Sequence, residues 1–324
     1  MRYRRFGDTG WQVSEIGFGA WQIGGDWGEA SDAESIRTLH HAFERGINFV
    51  DTAQMYGKGR SETVVGEAVR QWRHSRIYVA TKVQPTVWPS PEEERPPMRG
   101  RYPAWYLRAS IEASLRRLQV ERIDLLQLHC WVADGVTELD WLETLNALRL
   151  EGKLDRIGVS LRDYRPDDGI DLARLGLVTS QQVIFNLFEQ RPAERLFRAA
   201  PDHPPAFIGR VPLDSGSLSG AWTAGTYAGW REGSVPHQLF RGDRFVQTLA
   251  RVERLKQLCA PYFPTLAEAA MRFGLSAPEV ATVIPGMHSP AEVDANVAYA
   301  DGASFPSELL AQLGAHAWPR NYYQ

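Results

Sequence analysis

Short apolar stretches rich in β-branched residues alternate with longer amphipathic segments along most of the chain. Eight stretches have the length and composition of buried strands: 16–20, 48–53, 77–83, 123–129, 157–160, 181–186, 206–212 and 280–285. Helical periodicity between them predicts amphipathic helices that include 31–45, 61–73, 104–117, 139–150 and 244–258. Eight alternations of strand and helix predict an α/β protein with a closed (β/α)8 TIM barrel.

An open, doubly wound sheet is the alternative architecture for such an alternation. In that fold a Gly-x-Gly-x-x-Gly sequence follows the first strand and begins a helix. Here the corresponding Gly17-Phe18-Gly19 lacks the third glycine, which favours the barrel. Residues 1–15, with Gly7-Asp8-Thr9-Gly10 at their centre, predict an N-terminal β-hairpin that covers the bottom of the barrel.

Two connections are too long to be simple turns. Residues 84–103 are rich in proline, and residues 213–242 are rich in glycine and serine. By the strand count, both follow the C-terminal ends of strands, where barrel enzymes place their active sites. Long loops at this face are often lids or straps, which is the favoured interpretation of both; the alternative for the first is a solvated excursion.

Composition narrows the class of protein. A chain of 324 residues that is 44% hydrophobic can form one barrel domain, 1–324. The chain has 36 basic and 39 acidic residues, so it lacks the excess of positive charge typical of proteins that bind nucleic acid or anionic membranes. Cys130 and Cys259 are too few for a disulfide framework, and no Cys/His spacing predicts a metal site. No signal peptide or membrane span is evident, so we expect a soluble, cytoplasmic protein.

Four ionisable side chains end successive candidate strands or follow them directly. Asp51 and Tyr56 follow the second strand, Lys82 lies in the third, and His129 ends the fourth. Carbonyl reduction needs a proton donor at the nascent alkoxide, and a tyrosine is acidic enough only when a cation stabilises its phenolate. A lysine inside a strand is costly unless a carboxylate pairs with it, and Asp51 has the required charge.

Each of these residues also has a plainer interpretation. Asp51 could cap a turn, Lys82 could extend from the strand end to solvent, and His129 could be a satisfied core histidine. A Cys130–His129 nucleophile is disfavoured, because successive strand residues point to opposite faces. The same period places Gln127, His129 and Trp131 on one face, so Trp131 is expected to line the pocket.

Motifs along nearly the whole chain closely resemble those of the aldo-keto reductase superfamily. The central match is Asp51-Thr-Ala-Gln-Met-Tyr56-Gly-Lys-Gly-Arg-Ser61-Glu62-Thr-Val-Val-Gly66, with Ala80-Thr-Lys82 and Asp124-Leu-Leu-Gln-Leu-His129. Further matches are Gly7-Asp-Thr-Gly10, Gly17-Phe-Gly19-Ala-Trp21, Gly158-Val-Ser160, Gln182-Val-Ile-Phe-Asn186, Pro212-Leu-Asp-Ser-Gly216-Ser-Leu-Ser-Gly220 and Val283-Ile-Pro285-Gly286 through Asn296. The number and order of these motifs make the resemblance specific.

The resemblance implies an NAD(P)H-dependent oxidoreductase that reduces aldehydes or ketones, with Tyr56 as general acid. Lys82 and Asp51 would tune that tyrosine, and His129 would orient or help protonate the carbonyl oxygen. For the cofactor, the resemblance implies a set of contacts running from the nicotinamide to the adenosine: Ser160, Gln182, Leu213, Ser215, Ser217, Gly286 and Asn296. The resemblance favours NADP(H) as the cofactor, because most members of the family use it, and NAD(H) is the alternative.

The chain departs from the family pattern at both ends of the expected cofactor site. Leu161 replaces an asparagine that often holds the carboxamide, and Arg210 replaces an aromatic ring that commonly stacks on the nicotinamide. We expect Arg210 to contact cofactor or substrate, or to pair with a pocket carboxylate; it should repel an oxidised nicotinamide. At the adenosine end, His288 and Glu292 stand near the position of the usual cations, so bidentate recognition of a 2′-phosphate is not visible.

The substrate is the least determined feature. Trp21, Trp27, Trp88 and Trp131 lie on predicted top-face segments, and they could form an aromatic pocket for a small carbonyl or alcohol. The aromatic tail at 316–323 is expected to dock on the barrel. Two alternatives stay open: a nicotinamide-binding regulatory subunit, as in channel-associated relatives, and an NAD-dependent sugar or secondary-alcohol dehydrogenase. The oligomeric state cannot be read from the chain.

Overall fold

The computed structural model describes residues 1–28, 31–200 and 202–323. The described residues form ten strands: β1 (Tyr3–Arg5), β2 (Gln12–Ser14), β3 (Phe18–Gly19), β4 (Phe49–Asp51), β5 (Tyr78–Val83), β6 (Ile123–Trp131), β7 (Leu154–Leu161), β8 (Ser180–Ile184), β9 (Ala206–Arg210) and β10 (Val280–Ile284). Their α-helices are α1 (Asp32–Glu44), α2 (Arg60–Gln71), α3 (Ala104–Leu118), α4 (Asp140–Leu150), α5 (Ile170–Arg174), α6 (Val235–Leu239), α7 (Asp243–Cys259), α8 (Leu266–Ser276), α9 (Pro290–Ala298) and α10 (Ser307–Leu313).

Strands β3 to β10 form one parallel sheet in which every strand pairs with its neighbours in sequence. Single bridges from Ile16 to Val283 and from Gly19 to Gly286 bring the two ends of the sheet together. All eight predicted strands lie at the predicted places, each within a few residues of its expected limits. The (β/α)8 barrel predicted from the alternation is therefore confirmed.

Three of the ten described α-helices begin after a residue whose side chain caps the first turn. Ser31, Thr265 and Ser289 each accept a hydrogen bond from the backbone amide three residues later, at the beginning of α1, α8 and α9. The apolar faces of the helices pack against the outer side of the sheet and form the main core. None of the described helices is long and apolar enough to cross a membrane.

The N-terminal residues form the predicted hairpin from β1 and β2. Phe6, Trp11 and Val13 are buried against the inward-facing side chains of the barrel strands, among them Phe49 and Ile208. Because these side chains lie at the amino-terminal ends of the strands, the hairpin closes the bottom of the barrel. The opposite, C-terminal face stays open to ligands.

Candidate active site

Asp51, Lys82 and Tyr56 meet at the C-terminal face of the barrel. Strand β4 ends at Asp51, which pairs with Ala80 on the neighbouring strand β5. Lys82 lies two residues after Ala80 on β5, so its side chain reaches the carboxylate of Asp51. Lys82 Nζ lies 2.5 Å from Asp51 Oδ2 and donates to Tyr56 Oη at 3.2 Å. Tyr56 begins the short 3-10 turn at Tyr56–Gly59, which holds its ring over this ammonium.

Burial and neighbouring charge decide the protonation states of these groups. Burial raises the pKa of Tyr56 above its usual 10.0, and the positive charge of Lys82 opposes that rise only in part. Burial is the largest single influence on Lys82 and lowers its pKa, but the charges and hydrogen bonds of Asp51 and Tyr56 together outweigh burial, and the net pKa lies above 10.5. At neutral pH the site therefore contains an ammonium ion beside a protonated phenol, an arrangement suited to proton donation.

His129 completes the reacting end of the site. Its ring stands edge-on to the ring of Tyr56, with 6.2 Å between centroids. Burial, reinforced by the charges of Lys82 and Arg210, lowers the pKa of His129 well below 6.5, so the imidazole is neutral. Its Nδ1 atom is buried without a hydrogen-bond partner among the described residues. A neutral imidazole next to the phenol can orient a polar ligand atom.

The other carboxylate oxygen of Asp51 binds two amide side chains. Asp51 Oδ1 accepts from Gln127 Nε2 at 3.0 Å and from Gln182 Nε2 at 2.8 Å. Ser160 lies behind Gln182 and donates to its Oε1 at 3.5 Å. Both residues are buried, and Gln182 lines the cleft as expected for a cofactor contact. Ser160 is not among the described residues that line the cleft, so the structure separates it from the predicted cofactor contacts.

A cavity of about 670 Å³ extends from the reacting residues in two directions. One end is lined by aromatic residues and the other by the residues before and within α9. The predicted site residues that line the cavity are Trp21, Trp88, Asp51, Tyr56, His129, Gln182, Arg210, Leu213, Ser215, Gly286, His288, Glu292 and Asn296. Its volume, and polar lining residues such as Gln182 near Tyr56 and Asn296 in α9, fit a dinucleotide with its nicotinamide beside Tyr56.

The segment after β9 forms a backbone strap along this cavity. Asp214, Ser215 and Gly216 all have positive φ values, of 46°, 55° and 95°. The turn places Leu213 and Ser215 in the cavity wall, as predicted for a pyrophosphate site. Ser217 points elsewhere: its hydroxyl is buried and donates to Asp214 Oδ2 at 2.5 Å. The structure thus separates Ser217 from the predicted cofactor contacts.

Comparison of the sequence with known proteins identifies the family to which the chain belongs. The model of the Aldo/keto reductase family matches residues 15–317. The chain belongs to this family. An aldo-keto reductase of Bacillus subtilis (strain 168) is 30% identical over 299 residues, which are 91% of this chain and 87% of that protein.

Two further relatives align with nearly the whole length of this aldo-keto reductase. An NADH-specific methylglyoxal reductase of Escherichia coli (strain K12) is 27% identical over 311 residues, which are 92% of this chain and 93% of that protein. Among solved structures, the holo form of an aldo-keto reductase from Bacillus halodurans is 25% identical with a TM-score of 0.76, covering 100% of this chain and 99% of that chain. The resemblance stated from the motifs is confirmed.

The structure corrects the predicted position of Trp131. The pairing of β6 with β7 shifts between His129 and Trp131, and Cys130 adopts a positive φ of 71°. This bulge turns Trp131 away from the cleft, and its buried ring packs on Trp141. Cys130 lines the cavity instead, so the expectation that Cys130 and His129 diverge is also corrected. A bulge breaks the period of two on which both predictions depended.

The remaining predicted tryptophans, Trp21, Trp27 and Trp88, line the cleft of this aldo-keto reductase. Trp21 stacks on Tyr56, with 5.8 Å between ring centroids, and contacts Trp27 edge-on. Trp88, in the first long loop, stands edge-on to His129 at 5.9 Å. These rings give the cleft an apolar, aromatic wall beside Tyr56 and His129, a surface suited to packing against an aromatic or apolar ligand.

The aromatic tail docks on the barrel, as the sequence predicted, and also enters the cleft. Arg320 forms a buried ion pair with Asp214 of the strap at 2.5 Å. Tyr323 lines the cavity, and its hydroxyl lies 2.6 Å from Ser215 Oγ. The sequence showed an unusually aromatic terminus but gave no indication of its target, because the contact with Ser215 joins residues more than 100 positions apart.

Proposed function

We propose that the chain is an NAD(P)H-dependent carbonyl reductase that converts an aldehyde or ketone to an alcohol, with Tyr56 as the general acid. The observation that carries this proposal is the contact of a protonated Tyr56 with the buried Lys82–Asp51 pair at the centre of a dinucleotide-sized cleft. The reduced nicotinamide, when bound, supplies the hydride.

The chain's own residues supply the proton and the orientation. Tyr56 donates its hydroxyl proton to the carbonyl oxygen, and Lys82 stabilises the phenolate that remains. Asp51 fixes the ammonium and is itself fixed by Gln127 and Gln182. The neutral His129 directs the carbonyl oxygen towards Tyr56. Lys82, Asp51 and the two glutamines are buried, which strengthens the electrostatic interactions among them.

The adenosine end supports NADH as the preferred form of the cofactor. Glu292 lines the cavity, and its carboxylate accepts a hydrogen bond from the backbone amide of His288 at 2.6 Å. No lysine or arginine is among the described residues that line the cavity on either side of Glu292, from Ile284 to Tyr299. A fixed carboxylate binds a ribose hydroxyl and repels a 2′-phosphate. The NADH-specific relative from E. coli supports the same preference, against the family-based expectation of NADP(H).

Glu292→Arg is expected to reverse this preference. Replacing the carboxylate by a guanidinium removes repulsion and adds a bidentate phosphate donor, so the ratio of Kd for NADPH to Kd for NADH should fall by about tenfold or more. Fluorescence titration with each reduced cofactor measures the ratio. Glu308→Arg, at the exposed start of α10, is the matched control and should leave it unchanged. An unchanged ratio in Glu292→Arg would show that this carboxylate does not face the 2′ position.

The two reaction directions are expected to respond differently to pH. Reduction needs a protonated Tyr56, and because its pKa is raised above 10.0, that form persists throughout the range from about pH 7 to pH 9. The single-turnover rate of carbonyl reduction should therefore be flat in this range. Alcohol oxidation needs the phenolate, so its rate should rise by about tenfold per pH unit. A reduction rate that falls steadily above pH 7 would contradict this assignment.

The proposal is tested by the loss of reduced-nicotinamide absorbance with aromatic aldehydes, diketones and aldoses. Turnover by the wild-type protein with NADH or NADPH supports it. Binding of cofactor without turnover of any carbonyl or alcohol would overturn it in favour of a nicotinamide-binding regulatory subunit. Turnover of sugars or secondary alcohols with NAD⁺, but no turnover of carbonyls, would favour the dehydrogenase.

A further inference from the structure

Arg210 places a permanent positive charge inside the cleft. Its side chain is 16% exposed, lies at the end of β9 and forms part of the cavity wall. Arg210 Nη2 donates to Asp163 Oδ1 at 2.7 Å and to the backbone oxygen of Leu161 at 3.1 Å. Arg210 Nε is buried without a hydrogen-bond partner among the described residues. The guanidinium is therefore held in place by one carboxylate and is incompletely satisfied.

This charge acts directly on the reacting end of the cleft. The positive charge of Arg210 lowers the pKa of Tyr56 and of His129, which places the guanidinium within electrostatic reach of both. Hydride transfer requires the donor carbon to lie about 3–3.5 Å from the carbonyl carbon, whose oxygen must reach Tyr56. Arg210, at the end of β9, lines the same cavity as Tyr56 and His129. A nicotinamide ring bound in that cavity beside Tyr56 is therefore close to the same guanidinium.

The nicotinamide ring changes its charge in the reaction. It carries one positive charge in the oxidised cofactor and none in the reduced cofactor, whereas an arginine stays charged at any ordinary pH. In a buried site the repulsion between two positive charges is weakly screened. The negative charge of Asp163 offsets part of this repulsion. The Asp163 side chain is 34% exposed and that of Arg210 is 16% exposed, so solvent screens the carboxylate more than the guanidinium.

We propose that the Asp163–Arg210 pair makes this site bind the reduced nicotinamide cofactor more tightly than the oxidised cofactor, so that the enzyme loads the reduced form and readily releases the oxidised product. Arg210 sets the preference, and Asp163 limits its size. The preference rests on the proposed function, because it requires a nicotinamide ring in the cleft.

The test is the ratio of Kd for NAD⁺ to Kd for NADH, measured by calorimetry at neutral pH in the wild type and two variants. Asp163→Asn removes the compensating charge and should raise the ratio by about tenfold. Arg210→Met removes the repelling charge and leaves Asp163 behind, so the ratio should fall by about tenfold or more. Arg210→Lys keeps the charge and should keep most of the preference. Arg195→Met breaks an exposed ion pair with Asp167 outside the cleft and should have no effect.

The opposite signs of the two shifts distinguish charge from general disturbance of the site. Unchanged ratios, or shifts of the same sign in both variants, would overturn the inference. If Arg210→Met does not fold, the partly exposed Asp163→Asn decides the question alone. Binding of both cofactors and carbonyl turnover without these shifts would leave the proposed function standing. Failure of the wild type to bind either cofactor would overturn both.

Discussion

Tyr56→Phe is expected to lower the rate of carbonyl reduction by about 10²–10⁴-fold while leaving the Kd of the reduced cofactor unchanged. The substitution removes one oxygen atom, which is the atom that Lys82 Nζ contacts at 3.2 Å. The ring stays, so stacking on Trp21 and the edge contact with His129 are retained. Single-turnover kinetics and a fluorescence titration of cofactor measure the two quantities separately.

Tyr3→Phe is the matched control for this experiment. Its hydroxyl donates to the backbone oxygen of Gly46 near the bottom hairpin, at the opposite end of the barrel. Its loss should leave the reduction rate unchanged. If Tyr56→Phe instead retained more than about a tenth of the wild-type rate, the proton would have to come from another group, and His129, in contact with the same ring, would become the candidate acid.

The positions of the proposed catalytic residues could be predicted because they depend on local pattern. Asp51, Lys82 and His129 each stand at the carboxyl end of a strand with a clear apolar run, and parallel strands bring those ends together. The ion pair between Lys82 and Asp51 could also be predicted, because a buried lysine requires a carboxylate and Asp51 ends the neighbouring strand. The structure shows this ion pair fully buried.

The positions that could not be predicted depend on backbone irregularities or on distant partners. The bulge at Cys130 exchanges the faces of Cys130 and Trp131, and the residue identities do not reveal it. Ser217 turns away because Asp214 accepts its hydrogen bond within an unusual left-handed turn. The partner of Arg210 was expected only as some pocket carboxylate, and Asp163 became identifiable once β7 and β9 were placed.

Lys82→Met is expected to affect stability as strongly as activity. The substitution leaves Asp51 as a buried carboxylate without its cation, and loss of one partner of a buried pair costs about 3–5 kcal/mol. Because Lys82 is also the cation proposed to stabilise the phenolate, the rate of carbonyl reduction should fall together with the free energy of unfolding. Urea denaturation and single-turnover kinetics on the same preparation measure both effects.

Two further variants separate the structural role of Lys82 from its chemical role. The double variant Lys82→Met, Asp51→Asn removes both charges and should recover much of the lost stability, since an amide needs no counter-charge. It should recover none of the activity, because the phenolate still has no cation beside it. Lys153→Met, which breaks a surface pair with Glu112, should leave the free energy of unfolding nearly unchanged, because solvent screens exposed ion pairs. Recovery of activity in the double variant would mean that Lys82 serves only to neutralise Asp51, and that the acidity of Tyr56 comes from elsewhere.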